Sequence, residues 1–146
     1  MELNSDRLRL RPFREGDTGH FARFALDPDY LRHLGDGHPE PEQFVANNLG
    51  VDGAWVIELD GAVVGSIFLG EELACLLDPA VHARGIASEA ARLVIDDGFA
   101  RRGYTEIGAR ADPGNVASVR ALARLGFVAT DDDAYRLTRA AWVGSA

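Results

Sequence analysis

The amino-acid sequence predicts one α/β domain with a mixed, mostly antiparallel central sheet of six or seven strands flanked by about four helices. The chain has 146 residues, a length that suits a single domain. Apolar residues recur with strand-like or helix-like spacing along the chain, and the predicted elements follow in the order β-α-α-β-β-β-α-β-α-β-β. This order indicates an antiparallel first half followed by a parallel strand–helix–strand crossover. No internal repeat or linker divides residues 1–146.

The N-terminal third of the chain combines one strand with two helices. In "SDRLRLRPF", Leu8 and Leu10 alternate with arginines, which indicates a half-buried first strand. The stretch "GDTGHFARFAL" predicts a helix capped by Asp17 or Thr18. "DPDYLRHLGDGHPEP" is expected to be a loop with one helical turn at 30–34, and "PEQFVANNLG" a short helix that stops at its glycine.

The middle of the chain predicts a hairpin, a strand and a long helix. Two apolar runs flank Asp60 and Gly61, the residue pair that a type I′ hairpin turn prefers. The next run, "EELACLLDP", is a strand that ends at Asp78. A helix is expected from Gly85 to about Arg102, because apolar residues recur there at helical spacing.

The C-terminal third predicts a strand, a helix and two closing strands. "YTEIGARA" is the strand, and "DPGNVASVRALARLGF" a turn and a helix that ends at Gly126. Val116, Val119 and Ala123 are expected on its inward face. "FVAT" and "AYRLTRAAW" are predicted as strands joined by the turn at Asp131–Asp133.

Composition and charge exclude several classes of function. A formal net charge of −8 argues against nucleic-acid binding, which needs a basic face to neutralise phosphates. All 15 basic residues are arginine, so neither a Schiff-base lysine nor a P-loop lysine is available. The single cysteine, Cys75, excludes an internal disulfide. Since no apolar run approaches the ~20 residues of a membrane span and no signal-peptide block is present, a cytoplasmic protein without a membrane partner is expected.

The loop-to-helix junction "HARGIASEA" is a candidate anion site. The first amides of a helix lack intrahelical partners, and the helix dipole adds about half a positive charge there. Gly85 allows close approach of a ligand to the backbone, and Arg84 supplies a cation. Phosphate is the natural occupant of such a site, although many helix starts bind only water or a capping side chain. The spacing matches neither the P-loop nor the dinucleotide-binding fingerprint.

A second polar pair begins the next helix. Asn115 and Ser118 are spaced i, i+3 and therefore share a face. Their place after a parallel strand suits a ligand crevice at the carboxyl edge of the sheet. The alternative is that Asn115 is a capping residue with no role in ligand binding.

Both motifs together resemble a known family. "LDPAVHARGIASEAARLVIDDGF" followed by "DPGNVASVRALARLGF" is similar to the acetyl-CoA-binding core of the GNAT N-acetyltransferases, most of all to the ribosomal-protein (RimJ/RimL-like) branch. The flanks "RLRLRPFREGD" and "YRLTRAAW" are typical of that branch, so the resemblance covers nearly the whole chain. It implies a single GNAT-like domain that transfers acetyl from acetyl-CoA, without a metal, to a primary amine by direct attack in a ternary complex.

The resemblance also assigns the cofactor-binding residues. The family's pyrophosphate loop begins with Gln or Arg and often has glycine next, whereas this chain has His82 and Ala83 there. Main-chain amides make most of the contacts, so binding is still expected. In the family, the strand before the loop separates from its neighbour and the pantetheine arm lies in the gap. The cofactor residues implied here are Leu76, Leu77, His82, Ala83, Arg84, Gly85, Ile86, Ala87, Ser88, Asn115 and Ser118.

The catalytic residues implied by the resemblance are Glu72 and Ser118. Many members use a tyrosine as general acid, but its position here holds Leu122, and the RimL-like branch uses the serine instead. Glu72 matches a common family glutamate and is the first candidate for the base that deprotonates the amine. Weaker base candidates are Glu71, Glu58 and Asp112. The plain alternative for Glu72 is a solvated carboxylate at a strand end.

Alternatives to catalysis stay open at this level. The absent tyrosine favours a non-catalytic acyl-CoA-binding regulatory module, and the same helix start could instead hold a nucleotide phosphate. His33 and His38 lack metal-ligand spacing, so no metal site is expected. The acceptor, a peptide N-terminus or a small-molecule amine, is expected to meet Asp27 to Leu49 and the last hairpin. These segments are short, so a partner subunit could complete the cleft in a homodimer.

Overall fold

The computed structural model of the protein describes residues 2–34 and 36–145. Within them, eight strands form one sheet in the order β1-β2-β3-β4-β5-β6-β8-β7. β5 and β6 are parallel, whereas the other neighbours are antiparallel. The strands are β1 Leu3–Asn4, β2 Leu8–Arg11, β3 Ala54–Leu59, β4 Ala62–Leu69, β5 Glu72–Leu77, β6 Glu106–Arg110, β7 Val128–Ala129 and β8 Ala134–Thr138.

Six α-helices cover the two faces of this sheet in the described residues. They are α1 Thr18–Phe24, α2 Pro28–Leu34, α3 Pro41–Asn48, α4 Ile86–Ala100, α5 Val116–Leu125 and α6 Arg139–Ser145, with 3₁₀ turns at Glu15–Asp17 and Pro79–Val81. The mixed, mostly antiparallel α/β fold is confirmed, with one more strand and two more helices than the sequence predicts. No helix among these residues is long and apolar enough to cross a membrane.

Two apolar cores, one on each face, hold the helices to the sheet. The first contains Leu8, Ile57 and Ile67 of the sheet together with buried residues of α4. The second is rich in aromatic rings and joins Val56 of β3 to helices α1, α2 and α3. Because strand residues alternate between faces, β5 contributes Leu76 to the second core while Cys75 packs against the first.

The additional helices have local causes. The carboxylate of Asp27 accepts the amide of Asp29 at 2.9 Å, and Pro28 occupies the first helical position of α2. At the C-terminus, the strand predicted over "AYRLTRAAW" is wrong beyond Thr138. The Thr138 hydroxyl accepts the amide of Ala141 at 3.2 Å, so the chain turns into α6.

Two predictions about side chains in the helices need correction. Asp17 is the N-cap residue of α1, as predicted, but its side chain makes no capping hydrogen bond, because its carboxylate binds the guanidinium of Arg11 at 2.7 and 3.0 Å. In α5, Ala123 is exposed and Val116 is 54% exposed. Leu125 is buried instead, so the inward face of α5 is turned relative to the predicted one.

The tight β3–β4 hairpin and its neighbour fix the position of β5. Asp60 and Gly61 both have positive φ, at 51° and 84°, which confirms the predicted type I′ turn. Gly65 of β4 lies so close to β5 that a Cβ there would stand 2.2 Å from the carbonyl oxygen of Leu76. The sheet therefore needs glycine at this position to bring β5 against β4.

Candidate functional site

Strands β5 and β6 separate soon after they begin to pair. Their parallel pairing consists of Glu72 with Gly108 and Leu73 with Ala109, while β5 stays paired with β4 as far as Leu77. The edge of β5 that faces β6 is therefore unpaired from Ala74 onward. This gap between two parallel strands opens toward the carboxyl edge of the sheet.

The backbone of β5 presents alternate amides to this gap. The amide of Asp78 donates to the carbonyl of Val64 in β4 at 2.7 Å. In an antiparallel pair the hydrogen-bonded positions alternate, so the polar groups of Leu76 also face β4. Those of Cys75 and Leu77 point the other way, into the gap. Of the two leucines expected to hold the cofactor, Leu77 therefore offers its amide and Leu76 does not.

The N-terminus of α4 opens at the same edge of the sheet. Gly85 is the N-cap, with φ 74°, and no side chain caps the helix. The first helical hydrogen bond runs from the amide of Glu89 to the carbonyl of Gly85 at 3.0 Å. The amides of residues 85–88 bond no acceptor in the described part of the chain. Ile86 is 1% exposed, so only its amide, and not its side chain, can meet a ligand.

The loop before α4 turns through a second left-handed residue. Ala83 has φ 65°, a conformation that costs a non-glycine residue about 1–2 kcal/mol. His82, Ala83, Arg84 and Gly85 are all exposed. Ala83 stands where the resemblance leads us to expect glycine, and its backbone has the left-handed conformation that glycine favours.

A three-residue clamp of Ser5, Arg7 and Glu89 holds this loop to the first strands. The guanidinium of Arg7 contacts the carboxylate of Glu89 at 2.8 Å and donates to the carbonyl of Arg84 at 2.7 Å. The hydroxyl of Ser5 donates to the same carboxylate. Burial alone would raise the pKa of Glu89, but the hydrogen bonds from Ser5 and Arg7 and the charge of Arg7 outweigh it and lower that pKa.

Sequence reasoning missed Arg7 as a residue of the site. It alternates with leucines in the first strand, and nothing local distinguishes it from its arginine neighbours. Its partner Glu89 lies 82 positions further along the chain. A terminal nitrogen of Arg7 would stand 3.7 Å from a Cβ built on Gly85, so a second cation adjoins the open amides.

Asn115 and Ser118 lie at the start of α5, which follows β6. Since β5 and β6 are parallel, the starts of α4 and α5 lie at the same edge of the sheet, on the two sides of the gap. The carboxamide oxygen of Asn115 accepts the amide of Ser118 at 3.2 Å, so Asn115 caps the helix. Its NH₂ group remains available, and the half-buried Ser118 hydroxyl bonds no group of the described residues.

Glu72 lies at the opposite end of β5 from the α4 junction, where the pairing with β6 begins. Its side chain is 46% exposed and contacts the Nε of Arg110 at 2.8 Å. Leu77, at the other end of β5, is about 16 Å away at ~3.3 Å per residue. The structure therefore places Glu72 at the closed end of the gap, as an exposed ion-paired carboxylate.

The weaker base candidates have structural partners or lie in solvent. Glu58 forms ion pairs with Arg11 and Arg9. The carboxylate of Asp112 accepts the amide of Gly114 at 2.8 Å and shapes the turn before α5. Glu71 is exposed. The assignment of Glu72 as the base stays a prediction.

Cys75 faces away from this chemistry. Its side chain packs against the core on the α4 face, and burial raises the pKa of its thiol to about 12. The thiol therefore stays protonated at neutral pH and is a poor nucleophile. In the described residues, no group of three or more His, Cys, Asp or Glu side chains is arranged to hold a metal ion.

Comparison with known proteins identifies the family. The model of the acetyltransferase (GNAT) domain matches residues 7–128. The chain belongs to the GNAT acetyltransferase family. GNAT acetyltransferases use acetyl-CoA.

Individual relatives are distant in sequence. An N-acetyltransferase of uncharacterised role from Bacillus subtilis (strain 168), YnaD, is 24% identical over 140 residues, which cover 87% of this chain and 82% of YnaD. A GNAT-family acetyltransferase structure from Bacillus anthracis superposes with a TM-score of 0.87 at 22% identity, covering 96% and 99% of the two chains. RimL, a ribosomal L7/L12 alpha-N-protein acetyltransferase, gives 0.75 at 17% identity, with 94% of each chain covered. At these identities the structural likeness establishes the GNAT fold.

Proposed function

We propose that this GNAT protein is an acetyl-CoA-dependent N-acetyltransferase that delivers acetyl to a primary amine in a ternary complex. One observation carries the proposal: the unpaired edge of β5 and the open amides of α4 meet at the same edge of the sheet. The gap can take an extended arm, and the amides can take its phosphates. Acetyl transfer itself comes from membership of the family.

The proposed cofactor contacts fall into three groups. The amides of residues 85–88 bind the pyrophosphate of acetyl-CoA, with Arg84 and Arg7 as nearby cations. The loop residues His82 and Ala83 shape this cradle. Along the gap, the amide of Leu77 faces the pantetheine arm, with Leu76 as its neighbour in β5 and Asn115 and Ser118 on the opposite side.

The proposed chemistry is a direct displacement at the thioester. The amine nitrogen, once deprotonated, attacks the thioester carbonyl carbon, and the carbon–sulfur bond breaks as the amide bond forms. The proton lost by the amine passes to Glu72, through water because this carboxylate is exposed. The departing CoA thiolate takes its proton from the hydroxyl of Ser118, which recovers a proton from water; this hydroxyl has no other partner in the described residues.

Replacing Glu72 with glutamine tests its role as base. We expect Glu72→Gln to lower kcat/KM by about a hundredfold, the lower range for general base catalysis. The loss should be greatest at low pH, where the protonated amine depends most on the base. Steady-state rates across pH measure this effect, with Glu71→Gln as the control because Glu71 is the adjacent exposed carboxylate. An unchanged pH–rate profile would assign proton transfer to water or to another group.

Replacing Arg7 tests the clamp on the cofactor loop. We expect Arg7→Met to raise KM for acetyl-CoA by about tenfold, equivalent to one charge-assisted hydrogen bond, with little change in kcat. Arg9→Met is the matched control, because Arg9 has similar exposure (44% against 40%) and pairs with Glu2 away from the loop. Equal KM values for both variants would exclude a role of Arg7 at the site.

From the sequence motifs we propose that the chain belongs to the RimJ/RimL-like branch. Its proposed acceptor is a peptide N-terminus or a small-molecule amine. The likeness to RimL supports the fold, and the motifs support the branch. An assay of CoA release with ribosomal-protein N-terminal peptides, polyamines and aminoglycosides tests the acceptor class. A cytoplasmic location and a homodimer remain predictions from the sequence.

The second candidate function is a non-catalytic acyl-CoA-binding regulatory module. It is favoured by Leu122 at the family's tyrosine position and by the ion pair that occupies Glu72. This candidate predicts saturable binding of acetyl-CoA without CoA release for any amine. Calorimetric titration combined with the release assay separates the two functions.

A further inference from the structure

A small cavity lies among the helices on the face of the sheet opposite α4. Its volume is about 240 Å³, and it is formed by α1, α2, α3 and the segment 38–41. Most of its lining is apolar, with Phe21, Tyr30, Leu34 and Phe44 among the walls. Pockets for whole ligands measure roughly 300–1,000 Å³, so this one has the size for a single large side chain.

Tyr30 contributes a phenol to this apolar wall. The residue is 2% exposed. Burial raises the pKa of this phenol to about 12, so it stays neutral and can donate a hydrogen bond throughout the physiological range.

The cavity is close to the strand that borders the gap. Tyr30, Phe21 and Phe44 belong to the same apolar cluster as Leu76 of β5. Helix α2 packs directly against β5. Helix α2, which lines the cavity, therefore packs on the face of β5 that also carries Glu72, because residues 72, 74 and 76 share one face of a strand.

We propose that this cavity binds the apolar side chain of the acceptor, so that the substrates are monoamines carrying an aromatic or branched aliphatic group. The inference rests on the proposed acetyltransferase function and specifies its acceptor. Among the described lining residues, Glu40 is the single acidic one and is exposed, so these residues offer no interior carboxylate to a second ammonium group. A polyamine would have to leave that charge unpaired in an apolar wall, which disfavours it.

Kinetic discrimination between matched acceptors tests this proposal. Phenylalanine amide and alanine amide share the reacting amine and differ in the side chain. We expect kcat/KM for phenylalanine amide to exceed that for alanine amide by at least about tenfold, as for apolar groups in pockets, with spermidine the poorest of the three. A ratio near one, or a preference for spermidine, would overturn the proposal.

Filling the cavity provides the decisive variant. Ala25, the C-cap residue of α1, lines it, whereas Ala22 lies exposed within α1. We expect Ala25→Leu to remove the preference for phenylalanine amide while keeping the rate with alanine amide, and Ala22→Leu to leave both unchanged. Tyr30→Phe, which removes the hydroxyl alone, should change the ratio less than Ala25→Leu. Equal ratios in wild type and Ala25→Leu would contradict the assignment.

A binding measurement keeps this test separate from the test of catalysis. Calorimetry of phenylalanine amide with the CoA-saturated protein should show saturable binding that Ala25→Leu abolishes, whether or not turnover occurs. Binding of acetyl-CoA without any CoA release would count against the catalytic function. The titration with phenylalanine amide would still show whether the cavity binds an apolar side chain. Absence of amide binding to a protein that binds CoA would refute the cavity proposal alone.

Discussion

Replacing Gly85 with valine is expected to weaken acetyl-CoA binding by about a hundredfold or more. Gly85 caps α4 with φ 74°, a conformation that β-branched residues almost never adopt. Valine would rotate the amides of residues 85–88 away from a bound phosphate. Loss of two charge-assisted hydrogen bonds, at about 1.5 kcal/mol each, equals roughly a hundredfold in affinity.

The control for this variant lies at the other end of the same helix. Gly103 has φ 76° and open space around the position of a Cβ, so Gly103→Val introduces the same backbone strain away from the cradle. Both variants should lose about 1–2 kcal/mol of stability, measured by urea unfolding. Calorimetry with acetyl-CoA should then show weaker binding for Gly85→Val alone. Equal affinities in the two variants would refute the placement of the pyrophosphate.

Removing the carboxylate of Asp17 is expected to destabilise the fold by about 3–5 kcal/mol, the usual cost of breaking a buried ion pair. Arg11 and Asp17 are each 3% exposed and form two hydrogen bonds between their side chains. Asp17→Ala leaves the guanidinium of Arg11 with Glu58 as its remaining carboxylate partner. Urea unfolding measures the loss, and Asp29→Ala is the control. Asp29 pairs with Arg32 in solvent, so that variant should change stability by less than about 0.5 kcal/mol.

The effect of Asp17 should also depend on pH. Burial alone would raise the pKa of Asp17, but hydrogen bonds from Arg11 and from the amide of Arg14, with the charge of Arg11, outweigh it and lower that pKa. The folded state therefore binds this proton less tightly than the unfolded chain does. The contribution is complete above the unfolded pKa of about 4 and disappears as pH falls through the folded value. The stability difference between wild type and Asp17→Ala should narrow in acid, and a constant difference would exclude the ion pair as its source.

Features that depend on a few adjacent residues could be predicted from the sequence. The left-handed start of α4 at Gly85 and the turn at Asp60 and Gly61 follow from local steric preferences. The family motifs are equally local, and the cofactor contacts that the resemblance implies for them stay predictions. The predicted end of β8 was wrong because "YRLT" and "RAAW" together have the composition of one long strand. The helix cap made by Thr138 has no strong signal in the sequence.

Features that join distant parts of the chain could not be predicted. Arg7 meets Glu89, and Arg11 meets Asp17 and Glu58, only after the sheet has assembled. The cavity beside Tyr30 depends on how three short helices pack over one face. The sequence motifs therefore indicate the cofactor, whereas the cavity that we propose for the acceptor is made of contacts between distant parts of the chain.

The most direct measurement of the central claim is calorimetric titration of the purified protein with acetyl-CoA, followed by CoA release with amine acceptors. We expect saturable binding of acetyl-CoA that ATP does not displace, and release of CoA together with an acetylated amine identified by mass spectrometry. Failure to bind acetyl-CoA, or displacement of bound acetyl-CoA by equimolar ATP, would contradict it.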